Sequence, residues 1–600
     1  MSSKGAFLNG FFIIGSGSGI CQRKTGQDTQ EKISKMIVNS AEITYNQKQL
    51  HYLVFRRKRT MIHVNQTGYL PEMRKLIPVS EPGRYRICQA DGICCKEIDA
   101  KDAGIDEAAG ERVYLLDLTS IQQPGVYRIE DPQANSKEIT IAPDVLNQLH
   151  WDLMKMFYYQ RCGCGLKEEH AGCFAHDVCH NRPAKLWENP EITLDVTGGW
   201  HDAGDFGRYV TAAATAIGHL LYAYRLFPEC FEESLEIPES GNDLPDILNE
   251  CRCELEWMLK MQRADGGVYH KVTTLRHADF VMPQEDQDDL FVFPVSSMAV
   301  GDFCAVTALA SKIYRKYDAA FANRLQTASE KSWEWLKENP EFLGFRNPEG
   351  CNTGEYDDTT DLDERLWAAA EMTRMTQGKK GMKELKELYE ACPTKTELGW
   401  ADVSGFAGLC VLTDWKGYTG VEMAEKFRHD FVKRAKSLAA QSQKSGYGVS
   451  LKPEEFGWGS NMNVLNNGIV LVMAYLFTGD KAFEEAAFCQ LDYILGCNPL
   501  DMSYVTGHGS GAFRNPHNRP TVADGIDDPI SGFVSGGPNG KPCDPDALRL
   551  IPEGTAPMKC FADAWECYSL NEITIYWNSP MVFLTAYATR KFYREEVENG

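Results

Sequence analysis

Residues 198–205 read Gly-Gly-Trp-His-Asp-Ala-Gly-Asp, a short loop that carries two carboxylates between glycines. Small residues within this loop keep the turn compact, so the side chains of Asp202 and Asp205 can face one cavity. Far along the chain, residues 561–579 place Glu572 at the start of an apolar run. Hydrolysis of a glycosidic bond needs one carboxylic acid that protonates the leaving oxygen and one carboxylate that activates water. The two acidic stretches together predict such a pair.

Three stretches extend this pattern into a family resemblance. In chain order they are residues 199–210 (GWHDAGDFGRYV), 503–519 (SYVTGHGSGAFRNPHNR) and 561–579 (FADAWECYSLNEITIYWNS). They resemble the three active-site segments of glycoside hydrolase family 9, the cellulase family, and they occur in that family's order. Shorter similarities lie at 458–461, 466–467 and 536–539, so the resemblance covers roughly residues 62–593.

The resemblance implies a fold as well as a reaction. The family's catalytic domain is an (α/α)6 barrel with its substrate cleft on the loops at one end. In one large subgroup an immunoglobulin-like domain precedes the barrel. This chain departs from the family at Gly511, where Asn, Lys or Arg is usual, and the departure puts one contact on the substrate side in doubt.

Two patterns of apolar residues divide the chain. In residues 61–142 apolar and polar residues alternate between Pro-Gly and Asp-Gly turns, which predicts the strands of a small immunoglobulin-like β-sandwich. From 144 to 597 apolar residues recur every three or four positions, as at Ile247, Cys251 and Leu255. Roughly a dozen such helices suit two concentric layers. The prediction is a mainly α protein: an (α/α)6 barrel preceded by the sandwich.

Composition narrows the class of partner. The net charge of −22 argues against nucleic acid or an anionic membrane surface. No apolar stretch has the length of a membrane span. We therefore expect neither nucleic acid nor a membrane as partner. The resemblance implies a β-linked oligo- or polysaccharide substrate.

Residues 1–60 resemble no part of the family. The apolar run at 6–14 is interrupted by Asn9 and Gly10 and lacks a clear cleavage site, so it is a poor secretion signal. We expect residues 1–60 to be a disordered extension or the product of a start assigned too early, with Met61 as the alternative start. Twenty cysteines also favour a reducing compartment. The sequence thus favours the cytoplasm over secretion.

The resemblance assigns roles to the three acidic residues. It implies that Asp205 is the general base, that Asp202 helps to hold the nucleophilic water and that Glu572 is the general acid. The acid must arrive protonated, so its pKa must be raised. The family inverts the anomeric centre, which requires about 6.5–9.5 Å between acid and base to admit a water.

Four further residues are candidates for binding substrate. His517 and Arg519 lie in a loop rich in Gly, Asn and Pro, which can present a donor pair to sugar hydroxyls. The resemblance implies that this pair binds the sugar at the cleavage point. Trp458 and Tyr568 are candidates for ring stacking and hydroxyl contacts, although Trp458 suits a core position almost as well.

A group of cysteines and histidines predicts a structural zinc site. Cys162, Cys179, His180 and His201 offer two sulfurs and two imidazoles, which suits a closed tetrahedral site. Relatives with the N-terminal sandwich often carry zinc with ligands placed this way. The same region also contains Cys164, Cys173, His170 and His176, so the spacing alone leaves the ligand set open.

The acidic run at 357–364 predicts a calcium site. It offers many hard oxygen ligands and precedes a helix expected at residues 365–372. Acidic residues at a helix start are also favoured by the helix dipole, so the run need not bind metal. The family has a calcium site at a matching Asp-Glu, which here is Asp363 and Glu364. We expect Asp402, from a later loop, to complete it.

The leading hypothesis is an inverting β-1,4-glucan hydrolase, either an endoglucanase or a cellodextrinase. A first alternative keeps the fold but changes the substrate, giving an exo-β-D-glucosaminidase that acts on chitosan-type oligosaccharides. A second alternative is a non-catalytic carbohydrate-binding protein, which would be expected to lack at least one of the three acidic residues. The sequence leaves endo or exo action and the identity of the sugar open.

Overall fold

The computed structural model describes residues 61–599 except Asp91, Trp415 and Lys416, with side chains up to Arg590. The expectations for residues 1–60 lie outside these described residues. The fold divides into a β-rich part that ends at residue 141 and a helical part that begins at residue 147.

Seven strands form the β-rich part: β1 (Leu76–Val79), β2 (Arg84–Gln89), β3 (Cys94–Asp99), β4 (Lys101–Asp106), β5 (Glu111–Asp117), β6 (Gly125–Glu130) and β7 (Ser136–Ile141). They make two antiparallel sheets, with strand orders β3-β2-β6-β7 and β1-β5-β4. On β2, Tyr85 and Ile87 are buried while Arg84 and Arg86 are exposed. This alternation is what a strand with one face in a core requires. The predicted sandwich is confirmed.

Twelve helices of ten or more residues follow in the described chain. An inner layer contains Val210–Leu226, Ser297–Tyr314, Leu362–Met375, Ser404–Thr413, Ser460–Thr478 and Ile575–Asn599. An outer layer contains Asn147–Tyr159, Asp246–Lys260, Ala319–Glu338, Met382–Ala391, Val421–Lys444 and Lys481–Ile494. Each outer helix packs against an inner one, and the last inner helix packs against the first, which closes the ring. The predicted (α/α)6 barrel is confirmed.

The two layers differ in how apolar residues are distributed. The inner helix Val210–Leu226 is buried continuously from Val210 to Ala223, as expected for a helix surrounded by protein on every side. The outer helix Val421–Lys444 buries only one stripe, which includes Phe427, Phe431 and Leu438. Helix Leu362–Met375 begins before the expected residue 365, and Arg365 forms an ion pair with Asp361 across its first turn.

A small sheet on the loops of the barrel was not predicted. Its five short strands follow the order Arg208–Tyr209, Lys271–Thr273, Phe291–Val292, Ala184–Leu186 and Asn189–Leu194. Runs of two to six residues carry too weak a periodicity to be recognised in sequence. The first of these strands starts directly after the loop with Asp202 and Asp205, so the sheet fixes that loop.

The sandwich is joined to the barrel by buried polar contacts. Asn65 donates from Nδ2 to Oδ1 of the buried Asp492 at 2.9 Å. Gly511 donates its N–H to Oε1 of Gln66 at 2.7 Å, and a side chain on Gly511 would crowd Gln66 and the Asp501 carbonyl. In the structure Gly511 thus contacts residue 66 of the β-rich part.

The nineteen cysteines among the described residues are all free thiols. Eleven of them are buried, and two of these, Cys304 and Cys410, lie in the inner helices, where a thiol packs as a small apolar group. Within the described range, the helices are all too short or too polar to cross a membrane.

Candidate active site

The loop at 198–205 is held by backbone contacts on both sides of Asp202. The N–H of Asp202 donates to the Gly207 carbonyl at 2.9 Å, and the carbonyl of Asp202 accepts from the N–H of Ile575 at 2.8 Å. Ile575 begins the inner helix that follows Glu572. These contacts bring the first and third motifs together.

Gly204 explains why the loop needs a residue without a side chain. A Cβ at this position would lie 1.8 Å from the carbonyl oxygen of His517. The Gly204 carbonyl accepts from the Arg519 N–H at 3.0 Å and from Nη1 of Arg519 at 2.9 Å. The middle motif (residues 503–519) thus packs directly against the first (residues 199–210), and the missing side chain of Gly204 allows this close approach.

Glu572 follows the short helix Tyr568–Asn571 and lies beside His517, with which it forms a parallel β-bridge. Its carbonyl accepts from the Gly536 N–H at 2.9 Å. Burial, followed by the negative charges of Asp205 and Asp202, raises the pKa of Glu572 well above its usual range. This environment favours the protonated form of Glu572.

Asp205 has the opposite electrostatic environment. Burial alone would raise its pKa, but a hydrogen bond and charge from His277, together with the charge of Arg519, hold the pKa of Asp205 well below its usual range. Its Oδ2 accepts from the N–H of Gly207 at 3.2 Å and from the hydroxyl of Tyr209 at 3.5 Å. One buried site thus favours the ionised form of Asp205 and the protonated form of Glu572, which is the division that acid–base catalysis requires.

Asp202 is bound by a tyrosine that the sequence did not reveal. The hydroxyl of Tyr356 donates its one hydrogen to Oδ2 of Asp202. The hydroxyl of Tyr576 lies 3.2 Å from that of Tyr356. Tyr356 has φ of +49°, a strained backbone for a side chain of this size. The other oxygen of Asp202, Oδ1, is buried and has no partner among the described residues. It is the atom of Asp202 that remains free for a water.

His517 and Arg519 both lie at the site, but not as a simple pair of donors. Nδ1 of His517 lies 2.6 Å from the Trp565 carbonyl, which can only accept, so this nitrogen carries the hydrogen. Burial lowers the pKa of His517 to about 4, and Nε2 is therefore an acceptor. Arg519 donates from Nε to the Ala278 carbonyl at 2.7 Å, in addition to its bond to Gly204. The guanidinium of Arg519 thus holds the backbone at Gly204 and at Ala278 in place.

A row of aromatic rings in contact with one another includes His517 of the site. Trp458 lies 5.4 Å from Tyr568, and Tyr568 lies 5.8 Å from His517, measured between ring centroids. The row continues from His517 to Phe280 at 5.2 Å and from Phe280 to Trp565 at 4.5 Å. Trp458 is 49% exposed, so the core position that the sequence also allowed does not apply.

Cys162, Cys179, His180 and His201 offer ligand atoms that all lie within 4.8 Å of one another, and all four residues are buried. Nδ1 of His180 is buried and has no hydrogen-bond partner in the described part of the chain, while its Nε2 lies 3.2 Å from Oδ2 of Asp286. A carboxylate on the far nitrogen is the usual support of a metal-binding histidine. His170 and His176 instead contact backbone carbonyls. The donor set fits zinc, and it lies next to the catalytic loop.

A second candidate metal site consists of carboxylates alone. Asp358, Asp363 and Glu364 offer oxygens within 4.8 Å of one another. Asp402 is not in this group: its oxygens accept from the Thr394 hydroxyl and the Ser404 N–H. The sequence did not suggest Asp302, which is buried. Neither of its carboxylate oxygens has a hydrogen-bond partner among the residues that the structure describes, and burial with the charges of Asp363 and Asp358 raises its pKa. Hard oxygens without counter-charge fit calcium.

Comparison with known proteins finds matches for both the helical part and the β-rich part of the chain. The profile of Glycosyl hydrolase family 9 matches residues 147–585, and that of the cellulase N-terminal ig-like domain matches residues 57–136. The chain is 41% identical over 538 residues to a cellodextrinase from Butyrivibrio fibrisolvens, which covers 87% of this chain and 98% of that protein.

Solved structures show the same likeness in three dimensions. The structure of AaCel9A in complex with cellobiose-like isofagomine has a TM-score of 0.83 and 33% identity, covering 88% of this chain and 99% of that one. A Zn-binding triple mutant of the family 9 endoglucanase J30 has a TM-score of 0.82 and 29% identity, covering 87% of this chain and 99% of that one.

Proposed function

Because this chain belongs to glycosyl hydrolase family 9, we propose that it cleaves short β-1,4-linked glucans by direct attack of water with inversion. It is an enzyme of the cellulase and cellodextrinase type that acts on glycosidic bonds. The observation that carries the proposal is the opposed pKa shift of Glu572 and Asp205 within one buried site.

In this mechanism Glu572 gives its proton to the glycosidic oxygen as the bond to the anomeric carbon breaks. Asp205 removes a proton from the water that attacks the same carbon from the opposite face. Asp202 orients that water through Oδ1, since Tyr356 holds its other oxygen.

The remaining candidates hold the sugar. His517 accepts a hydrogen bond from a sugar hydroxyl at Nε2, since its Nδ1 is used by the Trp565 carbonyl. Arg519 sets the positions of Gly204 and Ala278 and contributes positive charge beside the base. Tyr568 and the exposed Trp458 offer ring faces to the next sugar units.

A substrate of short chain length is supported by the likeness to a protein named cellodextrinase, which extends over nearly its whole length. The test is product analysis on cello-oligosaccharides of increasing length, xyloglucan fragments and chitosan-derived oligosaccharides, with the anomeric configuration followed by NMR. We expect cello-oligosaccharides to be cleaved fastest, with the α-anomer appearing first. Initial release of the β-anomer, or turnover of the chitosan-derived series alone, would contradict the proposal.

We also propose that Cys162, Cys179, His180 and His201 hold a structural zinc. Four protein ligands leave no open position, so the ion would pin the loop before Asp202 and take no part in the reaction. We expect about one zinc per chain in protein purified without chelator. Cys179→Ser should lower Tm and zinc content with kcat largely kept, whereas Cys164→Ser, outside the ligand group, should change neither. Full zinc content in Cys179→Ser would contradict this ligand set.

The carboxylates Asp358, Asp363 and Glu364 are proposed to hold calcium at the start of helix Leu362–Met375. Among the described residues no lysine or arginine pairs with these three carboxylates, and a divalent cation would neutralise them. Asp302 would support the site from the adjacent inner helix Ser297–Tyr314. The function of such an ion is to stabilise the barrel.

A further inference from the structure

One side chain touches the proposed base and has no role in the mechanism so far. Nδ1 of His277 lies 3.2 Å from Oδ2 of Asp205. The carboxylate is only 7% exposed, while the imidazole is 40% exposed at the protein surface. A partly solvated histidine thus reaches into a buried carboxylate, and its position requires an explanation.

The small sheet determines where His277 lies. Strand Arg208–Tyr209 pairs antiparallel with strand Lys271–Thr273, with Arg208 opposite Val272. In an antiparallel pair, residues before one strand run beside residues after the other. The catalytic loop precedes Arg208 and the segment 274–280 follows Thr273, so the two are placed side by side by backbone pairing.

The segment 277–280 contacts the site at three points. His277 reaches Asp205, the Ala278 carbonyl accepts from Nε of Arg519 at 2.7 Å, and the ring of Phe280 lies 5.2 Å from that of His517. Three residues within a stretch of four thus contact the base, the arginine and the histidine of the site. These contacts fix the imidazole of His277 relative to the machinery.

Chemistry determines which partner donates in the contact between His277 and Asp205. An ionised carboxylate only accepts hydrogen bonds, so Nδ1 of His277 carries the hydrogen whatever the state of Nε2. All the hydrogen bonds that described residues make to this carboxylate fall on Oδ2, from Gly207, Tyr209 and His277. Oδ1 is left as the oxygen that can receive a proton from water.

We propose that His277 is a positioning residue that locks the Asp205 carboxylate by its Oδ2, so that Oδ1 faces the attacking water. The inference rests on the role of Asp205 as base proposed above. His277 touches neither sugar nor water in this account, and it acts through the orientation and charge of the base. The same contact contributes to the lowered pKa of Asp205.

Other charged groups also face Asp205 and set the background for any pH effect. Arg519, from the middle motif, and Lys271, from the paired strand, carry positive charge toward it. Asp202 and Glu572 face it with acidic groups. Loss of His277 removes one donor and one nearby imidazole while these four remain, so the pKa of Asp205 should rise and Asp205 should stay a base.

The test compares two substitutions of nearly equal shape. His277→Asn keeps an N–H donor close to the position of Nδ1, and His277→Leu has no donor. We expect His277→Leu to lower kcat by about 10- to 100-fold, the size of one hydrogen bond to a charged group. KM should change little, because the contact does not touch the sugar. His277→Asn should recover most of kcat.

The pH profile separates positioning from a general loss of structure. In His277→Leu the acidic limb of kcat/KM should move to higher pH, because Asp205 loses a donor that favours its ionised form. Asp279→Asn, an exposed change in the same segment, serves as the matched control and should match the parent. If His277→Leu does not melt cooperatively, His277→Ala replaces it in the comparison with His277→Asn.

Equal kcat and an unmoved acidic limb in His277→Leu and His277→Asn would overturn the inference. Asp205→Asn is measured alongside to keep the two proposals distinct. If Asp205→Asn is inactive and the His277 variants are normal, only the role of His277 fails. If Asp205→Asn retains turnover, the assignment of the base itself fails.

Discussion

Two buried carboxylate clusters in the barrel behave in opposite ways. The catalytic cluster contains Asp202, Asp205 and Glu572, and Arg519 and His277 bring positive charge and donors to one of its members. The other cluster contains Asp302, Asp358, Asp363 and Glu364. Among the described residues the nearest ion pairs involve Asp357 and Asp361, and none reaches these four.

This difference in charge separates the proposed acid–base cluster from the proposed calcium site. In the catalytic cluster one pKa is lowered and two are raised, so acid and base coexist without an ion. In the second cluster every shift is upward, and burial with the charge of Asp402 raises the pKa of Asp363 to about 7. A protein can bury several acids either by supplying its own cations to one of them or by leaving room for a metal.

The largest effect that tests this comparison is loss of either catalytic group. Glu572→Gln cannot protonate the leaving oxygen, and Asp205→Asn cannot take a proton from water. Each should lower kcat by roughly 10²- to 10⁴-fold, the range for a positioned acid or base. The measurement is initial rate on a cello-oligosaccharide.

Stability provides the control for these two variants. Both substitutions remove a buried charge or acid without changing volume, so Tm should stay close to that of the parent. Glu566→Gln, a neighbouring acid that is only partly buried, should retain full activity. Near-normal turnover in Glu572→Gln or Asp205→Asn would remove the catalytic cluster from the comparison.

The next effect concerns Asp302, which we propose supports the calcium site without being a ligand itself. Asp302→Asn should weaken calcium binding by roughly 10- to 100-fold, as loss of a supporting group around a metal does. In metal-free protein the same change should raise Tm, because it removes a buried acid that is repelled by the charges of Asp363 and Asp358. Calorimetric titration with calcium and thermal melts give both numbers.

Asp357→Asn is the matched control for Asp302→Asn. Asp357 lies in the same acidic run but is paired with Arg346 on the surface. Its loss should leave calcium affinity and both melting temperatures almost unchanged. If metal-free Asp302→Asn melts below the metal-free parent, the cluster is stabilising by itself and the contrast with the catalytic cluster fails.

A smaller effect should appear as a dependence of stability on pH. The folded pKa of Asp363, about 7, lies above its unfolded value of 3.8. The folded state therefore binds more protons between these values, and metal-free protein should lose stability as pH rises through that window. Calcium replaces those protons, so the Tm difference between loaded and metal-free protein should widen from acid to neutral pH. A constant difference would contradict the assignment.

The sequence predicted most of the fold because its signals are local. Alternation gave the strands, and spacing of three and four gave the helices. The three motifs also gave Asp205, Glu572 and His517, since each lies in a recognisable stretch. Tyr356 and His277 were missed because their contacts join segments far apart in the chain, and no nearby pattern marks them.

Asp302 was missed for a different reason. It lies in the inner helix Ser297–Tyr314, whose other residues were interpreted as core. A single acid inside an apolar helix was itself a signal, since a buried charge needs a partner. Asp402 is the reverse case: it is a suitable carboxylate in a suitable loop, and in the structure its oxygens accept hydrogen bonds from Thr394 and Ser404.

The smallest effect distinguishes Asp402 from Asp363. Asp363→Asn removes a member of the ligand group and should abolish measurable calcium stabilisation. Asp402→Asn removes only a nearby charge, which should change calcium affinity by no more than about threefold, as a weak charge interaction does. Because that charge raises the pKa of Asp363, its loss should also narrow the pH window over which metal-free protein loses stability. If Asp402→Asn abolishes calcium stabilisation as Asp363→Asn does, Asp402 is a ligand. The second cluster then closes around its ion by a movement of the 394–404 loop.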